Sequence, residues 1–209
     1  MEITAFPLGP LEANGYLLAR GREAVFVDPG GDPGAVLRTL TEKHLRLTHI
    51  LVTHLHFDHI YGVKELAQAT LAPILANPKD EFLLHTEMGL GGFMGLPKVS
   101  PFDFGPIEPG ETLFLDTPCT VLATPGHTPG SLSFYFPKAR AVFVGDLLFY
   151  RSIGRTDFPG GDMDALIKSV REKIFALPPE TVVYSGHGPA TTVGEEAGHN
   201  PFFQDLVEL

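Results

Sequence analysis

The chain has 209 residues, 44% of them hydrophobic, which is enough for one large domain or two small lobes sharing a core. Its formal net charge of -10 excludes nucleic acid or an anionic membrane as partners held by general electrostatics, and any anionic substrate would need a local basic pocket. Cys119 is the single cysteine, so no disulfide can form within the chain, and a reducing compartment is expected.

The first stretch, MEITAFPLGPLEANGYLLAR, opens with acidic Glu2 and is interrupted by Pro7 and Pro10, unlike the layout of a signal peptide. A cytoplasmic location follows as the expectation. No apolar run approaches the roughly eighteen residues of a membrane-spanning helix. Three short strands come first: EITAFPL, GYLLA and AVFVD, the last closing on the turn Asp28, Pro29, Gly30, Gly31. A helix is predicted from about Pro33 to Leu45, with Val36, Leu37, Leu40 and His44 at helical spacing. The buried strand THILVT follows, and then a second helix with Ile60, Val63, Leu66 and Ala67 on its apolar face. Residues 85–105, rich in Gly, Met and Phe without a clean period, read as a long surface excursion bordering a site. Strands resume with TLFL, TVLAT, SLSFYF and AVFVG. A helix from Asp162 to Leu177, the strand TVVYS and a last short helix opening at Asn200 and Pro201 complete the chain. The expected fold is a single α/β domain over residues 1–209, a layered sandwich with mixed sheets.

Between the strand THILVT and the second helix stands THLHFDHIYG, which places His54, His56, Asp58 and His59 within six residues. A core would reject so many imidazoles, and a solvated loop has no use for that spacing. Three later strands end alike: VLATPGH puts His127, VFVGD puts Asp146 and VVYSGH puts His187 after an apolar run and a glycine. Glycine permits a turn and close approach there, and the carboxyl ends of strands are where α/β folds gather ligands. One zinc-like ion takes about three or four protein ligands, so seven candidates are too many for a single centre. Two metals fit, with Asp146 able to offer one oxygen to each ion of a pair roughly 3.5–4 Å apart.

The HxHxDH pattern formed by His54, His56, Asp58 and His59, followed in order by His127, Asp146 and His187, resembles the metallo-β-lactamase superfamily. The resemblance implies a four-layer αββα sandwich with two mixed β-sheets. It also implies one metal held by His54, His56 and His127, a second by Asp58, His59 and His187, and Asp146 between them. The cofactors would be two divalent ions, zinc first and iron or manganese as alternatives, since imidazole and carboxylate suit all three. GDLLFYRSIGRTDFPGG and SGHGPATTVGEE resemble the glyoxalase II-like branch, which hydrolyses S-acyl glutathione thioesters such as S-lactoylglutathione. Few residues follow His187, where full-length glyoxalase II carries a helical domain with basic contacts to glutathione, so the short form is expected. Secreted β-lactamases fit less well, because they carry a signal peptide and use a cysteine where Asp146 stands.

The expected activity is therefore hydrolysis of a small-molecule thioester by hydroxide bridging the two ions. The oxyanion would be stabilised electrostatically, and Asp58 would orient the hydroxide and relay its proton. Persulfide dioxygenases share the scaffold and the GRTDF-like stretch but use one iron, at residues matching His54, His127 and Asp146; hydrolysis of another ester or lactone is a further alternative. The intact set of seven leans toward hydrolysis and disfavours a metal protein without catalysis.

Arg151 and Arg155 follow Asp146 closely enough to reach an anionic substrate group, a role suited to the guanidinium fork, against the alternative of an ion pair with Asp157 or Asp162. Tyr150 presents its hydroxyl to substrate or caps the core. Met88, Phe93 and Met94 either line an apolar acyl pocket or pack the loop. Thr53 and Thr128 flank ligands and are candidates to orient them by hydrogen bonds. His44, His49, His85 and His199 read as ordinary structural or surface histidines. Oligomeric state leaves no mark in the sequence.

Overall fold

The computed structural model describes residues 1–204. In chain order its elements are β1 (Glu2–Leu8), β2 (Ala13–Arg20), β3 (Glu23–Val27), α1 (Gly34–Glu42), β4 (Arg46–Leu51), α2 (Phe57–Ile60) and α3 (Val63–Thr70). They continue with β5 (Ile74–Ala76), α4 (Glu87–Leu90), β6 (Gly105–Pro106), β7 (Gly110–Phe114), β8 (Thr117–Ala123), β9 (Leu132–Phe136) and β10 (Ala141–Gly145). The last are β11 (Leu148–Phe149), β12 (Ser152–Ile153), α5 (Met163–Ser169), β13 (Val182–Ser185), β14 (Thr191–Thr192) and α6 (Val193–His199).

The first sheet runs β1-β2-β3-β4-β5-β6, and the second runs β14-β13-β10-β9-β8-β7. Both are mixed: β1 to β3 are antiparallel and β3 to β6 parallel, whereas in the second sheet only the β10/β13 pair is parallel. Alternation along each strand sorts the apolar residues into layers. Val25 and Val27 of β3 meet Phe134, Phe136 and Phe143 between the sheets. Ala24 and Phe26 face outward onto Val36 and Leu40 of α1 and Val63 and Leu66 of α3. On the far side, Val142 and Val144 of β10 pack with Leu166 of α5 and Val193 of α6. Three cores thus separate four layers, helix, sheet, sheet and helix.

Strand direction places the site. Because β8 and β10 are each antiparallel to β9, they run the same way as one another, and β13 is parallel to β10. The carboxyl ends of β8, β10 and β13 therefore share one edge. Hydrogen bonds bring the first sheet to that edge: the Leu132 amide donates to the Thr53 carbonyl at 2.9 Å, and the Asn14 amide to the Gly186 carbonyl at 2.7 Å. The Asn14 side-chain amide donates to the Ser185 and Gly188 carbonyls, and the Tyr16 hydroxyl to Ser185 at 2.6 Å.

Three elements differ from the sequence expectation. The first helix stops at Glu42, and His44 sits beyond it in the left-handed region at φ 52°. The helix expected through Leu177 is α-helical over Met163–Ser169 and continues as a π-turn over Val170–Ile174. Among the described residues the last helix lies over Val193–His199, where Thr192 caps it by accepting the Glu195 amide, and Asn200 ends it. Whatever of the expected Asn200 helix falls on residues 205–209 lies outside the described residues. The 85–105 excursion is partly ordered: α4 and the bridge between Gly91 and Lys98 lie within it, and Met88, Phe93, Leu96, Phe102 and Phe104 pack onto the outer core.

Candidate metal centre

The loop after β4 carries His54 and His56, and α2 carries Asp58 and His59. Across from them, the turns after β8, β10 and β13 bring in His127, Asp146 and His187. All seven candidates meet. The ligand atoms fall into three groups, each within 4.8 Å of one another: His54, His56 and His127; His54, His59 and Asp146; and Asp58, His59 and His187. Asp146 is wedged between the sets, with Oδ1 3.2 Å from His59 Nε2 and Oδ2 3.7 Å from both His127 Nε2 and His187 Nε2. Asp58 Oδ2 lies 3.2 Å from His187 Nε2.

Three of the imidazoles, His54, His59 and His127, are aimed by partners on their other nitrogens, the arrangement that fixes tautomer and ring orientation in metal sites. His127 Nδ1 donates to the Arg155 carbonyl at 2.7 Å. His59 Nδ1 donates to Asp28 Oδ2 at 3.0 Å. The Thr53 hydroxyl donates to the same oxygen at 2.6 Å and accepts from His54 Nδ1 at 3.0 Å, while the Thr53 amide donates to Asp28 Oδ1 at 2.7 Å. Asp28 therefore holds two rings at once. Sequence reasoning passed it over as a turn residue, although AVFVD carries the same apolar-run-then-aspartate signal as VFVGD.

A second carboxylate, Asp80, is fully buried and does not touch a ring. It accepts from the Thr128 hydroxyl at 2.7 Å, the Gly130 amide at 2.6 Å and, more weakly, the Leu55 amide at 3.4 Å. It thereby ties the loop bearing His54 and His56 to the turn after His127. Thr128 serves this clamp, whereas Thr53 touches a ring. No sequence signal marks Asp80.

The donors fit divalent ions. Among the described residues five buried side-chain polar atoms lack a hydrogen-bond partner, and four of them are here: His54 Nε2, His56 Nε2, His59 Nε2 and Asp146 Oδ1. Each such orphan costs about 1–3 kcal/mol, a penalty that a cation removes at His54 Nε2, His59 Nε2 and Asp146 Oδ1, whereas His56 turns Nδ1 inward, 2.8 Å from His127 Nε2. Burial holds His56 down to about 3 and His54 well below its usual value, which keeps both rings neutral as ligation requires. Burial opposes charge on His59 too, but the carboxylates of Asp146, Asp28 and Asp58 outweigh it and raise this ring well above its usual value. Asp146 is pulled down despite its burial, chiefly by His59, and so is ionised. Gly186 allows the close approach: a Cβ there would stand 2.2 Å from Asp146 Oδ1 and 2.6 Å from His59 Cε1.

A cavity of about 300 Å³ opens on the cluster, lined by His56, Asp58, His127, Asp146 and His187 together with Leu11, Phe57, Met88, Phe93, Leu96, Phe158 and Arg155. Tyr150 and Arg151 do not line it. Arg151 is bound to Glu195 at 2.7 Å and to buried Glu196 at 3.1 Å, and lies over the exposed Tyr150 ring. Met94 is 94% exposed and also stands apart, unlike Met88 and Phe93. Cys119 is buried and its thiol is pushed up to about 12, so it takes no part. His44, His49, His85 and His199 join none of the three groups.

The family model of the metallo-beta-lactamase superfamily matches residues 8–187. The hydroxyacylglutathione hydrolase GloC of Haemophilus influenzae is 36% identical over 207 residues, covering 97% of this chain and 98% of that protein. The crystal structure of the BLEG-1 B3 metallo-beta-lactamase superposes with a TM-score of 0.91 at 39% identity, covering 98% of this chain and 100% of that one. TTHA1623 in a di-iron-bound form gives a TM-score of 0.86 at 41% identity, covering 95% and 99%. With two mixed sheets between helical layers and the HxHxDH loop at their shared edge, the chain belongs to the metallo-β-lactamase superfamily.

Proposed function

We propose that this metal-dependent hydrolase carries two divalent ions and cleaves thioesters of the S-acyl glutathione type. The observation that carries the reading is the position of Asp146, whose two oxygens face His59 on one side and His127 and His187 on the other. In this reading His54, His56 and His127 hold one ion, Asp58, His59 and His187 hold the second, and Asp146 serves both. Ions held there supply a water acidified toward neutrality and an electrophile for the carbonyl oxygen. Asp58 lies in the cavity lining, and although burial works against its charge, the hydrogen bond with His187 keeps it ionised. It is the group placed to orient the attacking water and accept its proton. The apolar wall around it limits water near the reacting carbonyl. The thioester substrate draws support from the relative in Haemophilus influenzae, a hydroxyacylglutathione hydrolase.

The test combines elemental analysis of the purified protein with thiol release from S-lactoylglutathione. About two metals per chain and release of free thiol are expected. One tightly bound iron, no thiol release and oxygen uptake with glutathione persulfide would make it a dioxygenase instead. Opening of nitrocefin without thiol release would move the substrate to β-lactams.

A further inference from the structure

Beside the candidate ligands, the cavity wall is almost wholly apolar: Leu11, Phe57, Met88, Phe93, Leu96 and Phe158. Among the described residues, the one cation in its lining is already committed. Arg155 donates from Nε to Asp157 Oδ1 at 2.7 Å and from Nη2 to Asp157 Oδ2 at 2.6 Å, and its guanidinium lies 3.6 Å above the Phe158 ring. Asp157 thus competes, through an exposed ion pair, for the fork that an anionic carrier would need, in a chain already at net charge -10. At about 300 Å³ the cavity is at the small end for ligand sites, so it takes an acyl group rather than a whole tripeptide carrier.

We infer that the group seated against Phe57, Met88, Phe93 and Leu96 is an uncharged, saturated acyl chain of several carbons, and that the thiol carrier contributes little to recognition. This rests on the thioester reading and narrows it. The substrate class is acyl thioesters with apolar chains longer than the lactoyl group. Hydrolysis of one consumes a water, breaks the C–S bond and releases a carboxylic acid and a free thiol. Each methylene that leaves water for such a wall gives up to about a fourfold gain in binding, whereas a carrier carboxylate finds no uncommitted cation in the lining.

Binding of non-hydrolysable thioethers to the metal-loaded protein tests this by calorimetry: S-ethyl, S-butyl and S-hexyl derivatives of glutathione and of neutral N-acetylcysteamine. Kd should fall steadily with chain length on both carriers, by up to about fourfold per methylene, and differ little between carriers. Phe93→Ala should flatten the series without changing metal content, with Met88→Ala as the second variant should Phe93→Ala not fold. Affinity independent of chain length, or binding only on the glutathione carrier, overturns the inference. Thiol release is read in parallel from S-butyryl and S-hexanoyl thioesters. Graded thioether binding with no thiol release from any thioester overturns the thioester reading alone, and thiol release with a flat series overturns the chain preference alone.

Discussion

The two sheets furnish the site in different ways. The first supplies His54, His56, Asp58 and His59 from one continuous stretch, where the geometry is set largely by a single loop and the first turn of α2. The second supplies His127, Asp146 and His187 singly, from the ends of β8, β10 and β13, so their meeting depends on pairing across four strands of that sheet. The first set is thus a local structure and the second a consequence of strand direction. Two carboxylates steady them: Asp28 binds the His59 ring directly and the His54 ring through the Thr53 hydroxyl, and Asp80 links the two sets through backbone amides and a hydroxyl.

The contrast is sharpest at Asp146, which faces both sets. Asp146→Ala should cost on the order of 1000-fold in kcat/KM and prevent retention of two ions, because the electrostatic stabilisation a metal site supplies is lost; elemental analysis with thiol release measures it, and two retained ions with ordinary turnover would separate the sets. Gly186→Ala places a methyl against Asp146 and His59 without altering any donor. Misplacement of that kind should lower turnover by about 100-fold, while circular dichroism stays native. Asp28→Asn leaves two rings imperfectly oriented and should weaken metal affinity about tenfold to 100-fold, read by competition with a chelating dye.

Asp80→Asn should act differently. It loses a buried acceptor for the Thr128 hydroxyl or the Gly130 amide and so lowers unfolding free energy by about 1–3 kcal/mol in urea titration, with metal affinity changed less than by Asp28→Asn. Equal losses of metal affinity in the two variants would erase the distinction between a ring-binding and a loop-binding carboxylate. The smallest effect is expected at Arg151, whose partners are Glu195 and Glu196 rather than the cavity. Arg151→Ala should leave KM unchanged and lower the melting temperature slightly, and a raised KM would return Arg151 to the substrate.

Much of this was legible in advance where the signal is local. Short apolar runs bounded by turn residues marked the principal strands, and glycine before His127, Asp146 and His187 marked three of the strand ends that matter. Asp28 escaped notice because Asp-Pro-Gly-Gly reads as a turn, and its carboxylate reveals a second purpose only when His59 and Thr53 reach it. The helix over Val193–His199 escaped notice because Asn200 and Pro201 outweighed the capping pattern at Thr192 and Glu195. Arg151 looked adjacent to the site in sequence, yet its own left-handed backbone at φ 55° delivers it to α6.

The sequence by itself determined which side chains are capable of holding metal and that each one follows a strand, since donor chemistry and short-range periodicity are properties of neighbouring residues. Only the tertiary structure decided that they converge, that Asp28 and Asp80 brace them, and that Asp157 takes the charge of Arg155. Those outcomes depend on strand order, register and cross-sheet hydrogen bonds between residues as far apart as Asn14 and Ser185, and no local pattern encodes the direction in which a distant strand will run.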